Sequence, residues 1–162
     1  MGGNLTIKQL EAKANSIRKD IIRMLEEAGS GHSAGPLGLA DLVTTLYFDI
    51  MKVNPAKPDD PERDFFFLSN GHCVPVQYAT MAEAGYFPKE ELMTLRKWGS
   101  RLQGHPERKK LPGLENTSGP LGCGVSQGAG VAYTLQYIDR QPQRWVYVIT
   151  GDGELDEGNI WE

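Results

Sequence analysis

The sequence predicts an α/β domain built on a mainly parallel sheet flanked by helices. Three observations carry that expectation. Two short, continuously apolar runs, Phe65-Phe66-Phe67-Leu68 and Trp145-Val146-Tyr147-Val148-Ile149-Thr150, are bounded by polar or glycine-rich sequence, the pattern of strands buried on both faces. Segments of helical periodicity alternate with them, as a parallel sheet requires. Each run also ends on turn-forming residues, Ser69-Asn70-Gly71-His72 in one case and Gly151-Asp152-Gly153 in the other. Ligands of open parallel sheets bind beyond the carboxyl ends of the strands, so both stretches are expected at one edge of the sheet.

The remaining elements follow in order. Residues 6–28 predict an amphipathic helix, because Leu10, Ala14, Ile17, Ile21, Leu25 and Ala28 recur at three- and four-residue steps. Thr6 and Gln9 have the spacing of a capping box, and Gly29 stops the helix. The turn Ser30-Gly31-His32-Ser33-Ala34-Gly35 follows. Pro36 suits the first position of a second helix, which runs to about Met51, is apolar on most sides and is expected to be buried. Residues 52–64 form a polar, proline-rich connection. After the first strand, helices are expected over residues 73–84 and from Pro88 to about Trp98. Residues 99–120 read as irregular, and a helix over residues 123–138 leads into the second strand. No internal repeat is present.

Composition narrows the function. With 162 residues and 40% hydrophobic content, the chain has enough apolar material for a core. A formal net charge of −4 and the lack of a Lys/Arg block exclude nucleic acid as the expected partner. The longest apolar stretch, Leu37 to Met51, is interrupted by Asp41 and Asp49 and is too short to span a membrane. Met1 to Lys8 is polar and has no signal-peptide pattern. Cys73 and Cys123 lack metal or redox spacing and are expected as free thiols of a cytoplasmic protein. The glycines and prolines gather at residues 29–38, 99–124 and 151–158, where they mark loops.

Four features could carry chemistry. Asp152 stands between two glycines at a strand end, where a carboxylate can meet a hard metal ion carrying phosphate ligands; the flanking glycines let backbone N–H groups approach that phosphate. All three histidines, His32, His72 and His105, follow a glycine. Their wide spacing argues against zinc and suits hydrogen bonding or proton transfer around a hydroxylated or phosphorylated substrate. Gly119-Pro120-Leu121-Gly122 precedes a helix and can offer backbone groups to a ligand there; tight packing against the sheet explains its glycines equally well. It is not a nucleotide P-loop, because Gly-Lys-Ser/Thr is absent. Glu157 reads as a carboxylate at a helix N-terminus. Glu154 and Asp156 need no further role, Arg101 and the charged run 107–110 read as solvated loop residues, and Phe65 to Phe67 as core.

The order of these motifs resembles that of transketolases. Ser30-Gly31-His32, Leu68-Ser69-Asn70-Gly71-His72, Gly104-His105-Pro106-Glu107, Gly119-Pro120-Leu121-Gly122 and Gly151-Asp152-Gly153-Glu154 succeed one another at fitting separations. The match covers nearly the whole chain. It is similar to the N-terminal diphosphate-binding domain of a transketolase, and its length resembles the N-terminal subunit of a split one. The resemblance implies the thiamine diphosphate-binding fold, with the cofactor held through Mg²⁺ (or Ca²⁺). It implies Asp152 as a metal ligand, Gly153 and His72 as diphosphate contacts, and Gly119, Pro120 and Leu121 as contacts to the middle of the cofactor. It makes His32 and His105 substrate-facing catalytic histidines and Glu157 an acidic residue at the subunit interface. The implied reaction moves a glycolaldehyde unit from a ketose phosphate to an aldose phosphate. The implied partners are a C-terminal subunit or downstream pyrimidine-binding domain, in an oligomer of active units.

Some positions depart from the family. Ser33 replaces a common proline, Cys123 replaces a common glutamine after Gly-Pro-Leu-Gly, and Cys73-Val74-Pro75-Val76-Gln77 replaces an Ala-rich run. The family's further metal ligands lie some two dozen residues past Gly-Asp-Gly, beyond Glu162, and Asn159 is too close to replace them. These residues are therefore expected to be part of a longer polypeptide. Alternative readings are a deoxyxylulose phosphate synthase-like enzyme, a transketolase for another sugar, and a non-catalytic interaction module of the same fold.

Overall fold

The apolar stripe at three- and four-residue steps forms helix α1, Ile7–Ala28, in the computed structural model, which describes residues 5–162. Of the polar start read over Met1 to Lys8, residues 1–4 lie outside the described residues. Thr6 caps α1 through the expected box: its hydroxyl accepts from the Gln9 N–H, and the Gln9 side chain accepts from the Thr6 N–H at 2.8 Å. Gly29 ends the helix in the left-handed region, its N–H bonded to the Glu26 carbonyl. Ala14, Ile17, Ile21 and Met24 form the buried face.

The second helical segment is broken. Helix α2, Ala34–Gly38, starts ahead of Pro36, whose missing N–H has no partner to lose in a first turn. Helix α3, Ala40–Thr45, follows, and a π-helical turn, Leu46–Ile50, completes the segment. Burial is one-sided rather than general. Val43, Leu46, Tyr47 and Phe48 are inside, whereas Leu42 and Ile50 are 50% and 51% exposed, because α3 packs on α1 and α4 along one face only.

Strands β1, Phe65–Leu68, and β2, Val146–Ile149, pair in parallel, with Phe65 opposite Val146 and Leu68 opposite Ile149. The buried Asp64 carboxylate sets their entry, accepting the Lys52 and Trp145 N–H groups at 2.8 Å each. Between the strands, α4 (Val74–Ala84) is buried from Val74 to Ala82, and α5 (Cys123–Tyr133) continues through a π-helical turn, Thr134–Ile138. The helix expected from Pro88 to about Trp98 shrinks to a 3₁₀ helix, Lys89–Thr94. Arg96 takes a left-handed φ of 61° and its N–H turns to the Leu102 carbonyl at 2.9 Å, which draws the chain out of the helix. Arg101 is no free solvated charge: its guanidinium grips the Glu91 carboxylate and lies over Phe87.

The core lies between α1, α3, α4 and β1. Outside it, Tyr133, Tyr137 and Ile138 at the end of α5, and Trp145 ahead of β2, remain 61–66% exposed. Trp98 is fully exposed and Trp161 74% exposed. Among the described residues no helix is long and apolar enough to cross a membrane.

Candidate cofactor-binding site

The parallel pairing carries both strand ends to one edge, as the alternation of elements requires. Beyond β1, Ser69 and Asn70 are buried and lead into a 3₁₀ turn, Gly71–Cys73, that holds His72 half-buried. Beyond β2, Gly151 approaches Asn70 closely enough that an added Cβ would lie 3.5 Å from the asparagine Cβ. Asp152 and Gly153 follow on the surface, entering a 3₁₀ turn, Gly153–Asp156.

The other glycine-rich loops come to the same edge. The His32 and His72 rings are 5.0 Å apart between centroids. His105 is held below its ordinary pKa, chiefly by desolvation and then by the neighbouring His32, His72 and Arg96. Arg96 ties two of the loops together, its guanidinium lying against Gly31 and Gly104. It lines, with His105, Pro106 and Ser118, a groove of about 490 Å³. Gly71 fits so closely under Ser118 that a side chain there would collide with its hydroxyl and crowd Pro106. Gly122 caps α5 with φ 82°, and a Cβ at Gly124 would lie 2.5 Å from Ser69 Cβ, so the first turn of α5 is pressed onto the end of β1.

One side chain that sequence reasoning passes over organises this edge. Glu154, 1% exposed, accepts hydrogen bonds from the Ser69 hydroxyl at 2.7 Å, the Gly122 N–H at 2.7 Å and the Gly151 N–H at 2.9 Å. Nothing in the run Glu154-Leu155-Asp156-Glu157 distinguishes its first carboxylate from the others; only the tertiary approach of three loops does.

Glu157 is exposed at the start of a 3₁₀ turn, Gly158–Ile160, and no hydrogen bond or ion pair joins its carboxylate to the cluster among the described residues. Cys73 is buried, with its thiol pushed up to about 11 mainly by desolvation; Cys123 is partly exposed, and both are free.

A model of the family described as transketolase, thiamine diphosphate binding domain, matches residues 9–162. The chain belongs to that transketolase family. The 6-deoxy-6-sulfo-D-fructose transketolase subunit SqwG of Clostridium sp. is 42% identical over 153 residues, covering 94% of this chain and 55% of that protein. An apulose-4-phosphate transketolase subunit of Phocaeicola vulgatus is 39% identical, covering 98% of this chain and 55% of that protein. Human transketolase is 40% identical over 96% of this chain and 25% of its own length. Among solved structures, Leishmania mexicana transketolase superposes with a TM-score of 0.85 at 37% identity, over 94% of this chain and 24% of that one. Campylobacter jejuni transketolase gives 0.88 at 34%, over 97% and 26%. The chain therefore spans about half the length of the subunit relatives and a quarter of the single-chain transketolases.

The transketolase site fits the cofactor on three counts. Added Cβ atoms at Gly119 and Gly153 would meet nothing within 4 Å, so there is open space beside both backbones for a ligand to approach. Asn70 Oδ1, Asn116 Oδ1 and Ser118 Oγ are buried without a hydrogen-bond partner among the described residues, a set that has polar capacity to spare. The Asp152 carboxylate is exposed and makes no hydrogen bond or ion pair among the described residues. Those residues contain no group of three His, Cys, Asp or Glu placed to hold a metal.

Proposed function

We propose that this chain is the diphosphate-binding component of a transketolase-type transferase, which moves a two-carbon ketol unit from a ketose phosphate to an aldose phosphate. The observation that carries the reading is the convergence of His32, His72, His105, the Gly119–Gly122 loop and Gly151–Gly153 on one edge of a parallel sheet. Thiamine diphosphate, when bound, supplies the carbanion chemistry of ketol transfer. Asp152 offers one oxygen ligand to Mg²⁺ (or Ca²⁺), a cation that combines few carboxylates with phosphate oxygens. Gly153 and His72 donate hydrogen bonds to the diphosphate. Gly119, Pro120 and Leu121 line the middle of the cofactor beside the N-terminus of α5. His32 and His105 orient sugar hydroxyls and move protons at them. The lowered affinity of His105 for protons keeps it a neutral imidazole near pH 7, able to accept as well as donate.

The further metal ligands and the pyrimidine-binding half come from downstream sequence or from a C-terminal partner subunit, with Glu157 at that interface. The subunit designations of the Clostridium and Phocaeicola relatives support a split arrangement. Their differing sugars point to ketoses as a class, rather than to one sugar, as the substrate of a cytoplasmic enzyme of carbohydrate metabolism that acts as an oligomer.

The test replaces Asp152 by Ala in the complete assembly. Thiamine diphosphate affinity measured by calorimetry with Mg²⁺ present is expected to fall at least about 100-fold, the upper end of what even indirect metal-site changes cost. Unchanged affinity would overturn the assignment. An unliganded-to-liganded shift in melting temperature that is absent for the intact protein as well would favour the non-catalytic module.

A further inference from the structure

Glu154 is the residue that the cofactor reading leaves unused and the structure makes central. Its carboxylate is 1% exposed, and no Lys, Arg or His pairs with it among the described residues. A buried, unpaired carboxylate is costly unless its oxygens are fully hydrogen-bonded. Here they are. Oε1 accepts from the Ser69 hydroxyl and the Gly122 N–H, both at 2.7 Å, and Oε2 from the Gly151 N–H at 2.9 Å. The Ser69 oxygen in turn accepts the Gly124 N–H at 3.1 Å. Glu154 thus joins the end of β1, the end of β2 and Gly122 at the N-cap of α5, and Ser69 adds Gly124 in the first turn of that helix.

Those three pieces carry the cofactor groups. Gly151 precedes Asp152, Gly122 ends the Gly119–Leu121 loop, and Ser69 precedes the His72 turn. None of the three is held by a regular backbone ladder beyond Ser69 and Ile149. Besides the Gly124–Ser69 bond and the Asn159 side chain, which donates to the Leu121 carbonyl at 3.3 Å, the carboxylate is what sets their relative placement, and with it that of Asp152 against the Gly119–Leu121 backbone. We propose that Glu154 is a positioning residue for the cofactor site: it clamps the Gly119–Gly122 loop to the Gly151–Gly153 strand end so that the metal-binding carboxylate and the cofactor loop face the same ligand. This role rests on the cofactor reading above.

The charge matters as well as the geometry. All three partners are donors, so a carboxylate satisfies them with two oxygens, whereas an amide must turn one N–H₂ group toward a donor. Glu154→Gln keeps the volume and retains at most two of the three bonds. Glu154→Ala removes all of them.

The experiment compares wild type, Glu154→Gln, Glu154→Ala and Asp152→Ala in the complete assembly. Thiamine diphosphate affinity is measured by calorimetry with Mg²⁺, and amide hydrogen exchange at Gly122 and Gly151 in the cofactor-free protein. Glu154→Gln should weaken the cofactor about tenfold and Glu154→Ala further, the range of second-layer changes at metal sites, with faster exchange at both glycines. Should the alanine variant not fold, Ser69→Ala serves in its place: it breaks one bond to the clamp and is expected to fall between wild type and Glu154→Gln. Loss of binding in Asp152→Ala with wild-type affinity in every Glu154 and Ser69 variant would overturn the clamp alone. Wild-type affinity in Asp152→Ala would overturn the cofactor reading beneath it. Lower melting temperature with unchanged affinity of the folded variants would make Glu154 purely structural and also overturn the proposal.

Discussion

His105 shows how a single side chain reports on its neighbours. Desolvation and the nearby His32, His72 and Arg96 all disfavour its charged form. The folded chain therefore gives up this proton at a lower pH than the unfolded chain does. As pH falls through the interval just below the ordinary histidine value, the unfolded state binds the proton first, so His105 lowers stability on the acid side and costs nothing above it. A proton NMR titration should place the His105 midpoint below 6.5, the value of an unperturbed histidine, and His32→Gln should move it back toward 6.5. A midpoint at or above the ordinary value in wild type would contradict the crowded histidine cluster. At this scale the histidines are legible in the sequence because each stands beside a glycine. Glu154 is not, since its neighbours in sequence are equally acidic and its partners Ser69 and Gly122 are 85 and 32 residues away. Arg96 escapes for the same reason, as its contacts at Gly31 and Gly104 are made across loops.

Among the elements, α1 is the most readable because cap, stripe and terminator agree over 22 residues. Its two sources of stability can be separated. Ile17 is completely buried, so Ile17→Ala should cost about 2–5 kcal/mol through lost burial and the cavity left behind. Thr6→Ala, which removes a cap on an exposed helix end, should cost about 1 kcal/mol. Urea unfolding should rank the midpoints wild type, Thr6→Ala, Ile17→Ala, with the slope unchanged; a cap variant as damaging as the core variant would refute that division. The segment after Pro88 misleads because its apolar residues, Leu92 and Leu95, have helical spacing although the backbone does not stay helical. The tertiary bond from Arg96 to Leu102 overrides local preference there, and single-chain periodicity carries no trace of it. The break after Gly38 is likewise a small backbone adjustment that leaves the apolar pattern intact.

For the molecule as a whole, the parallel pairing is readable from two apolar runs separated by helices, and it alone explains why motifs far apart in sequence, Asn70 with Gly71 and Gly151 with Asp152, meet. What the chain's pattern could not show is which apolar side chains stay outside. Helix α5 buries only Gly124 and Gly128 along its α-helical length, and beyond it Tyr137, Ile138 and Trp145 face solvent. The three tryptophans, Trp98, Trp145 and Trp161, are all exposed, none less than 65%. Indole emission follows the polarity around the ring, so this protein carries no buried fluorophore of that kind to mark its core. Its native emission should already be red-shifted and change little in wavelength when urea unfolds it. A polypeptide that covers Trp145 should instead shift its emission to the blue, and Trp145→Phe should abolish that response. The same property that makes tryptophan light a poor gauge of folding here makes it a direct reporter of whatever covers these rings.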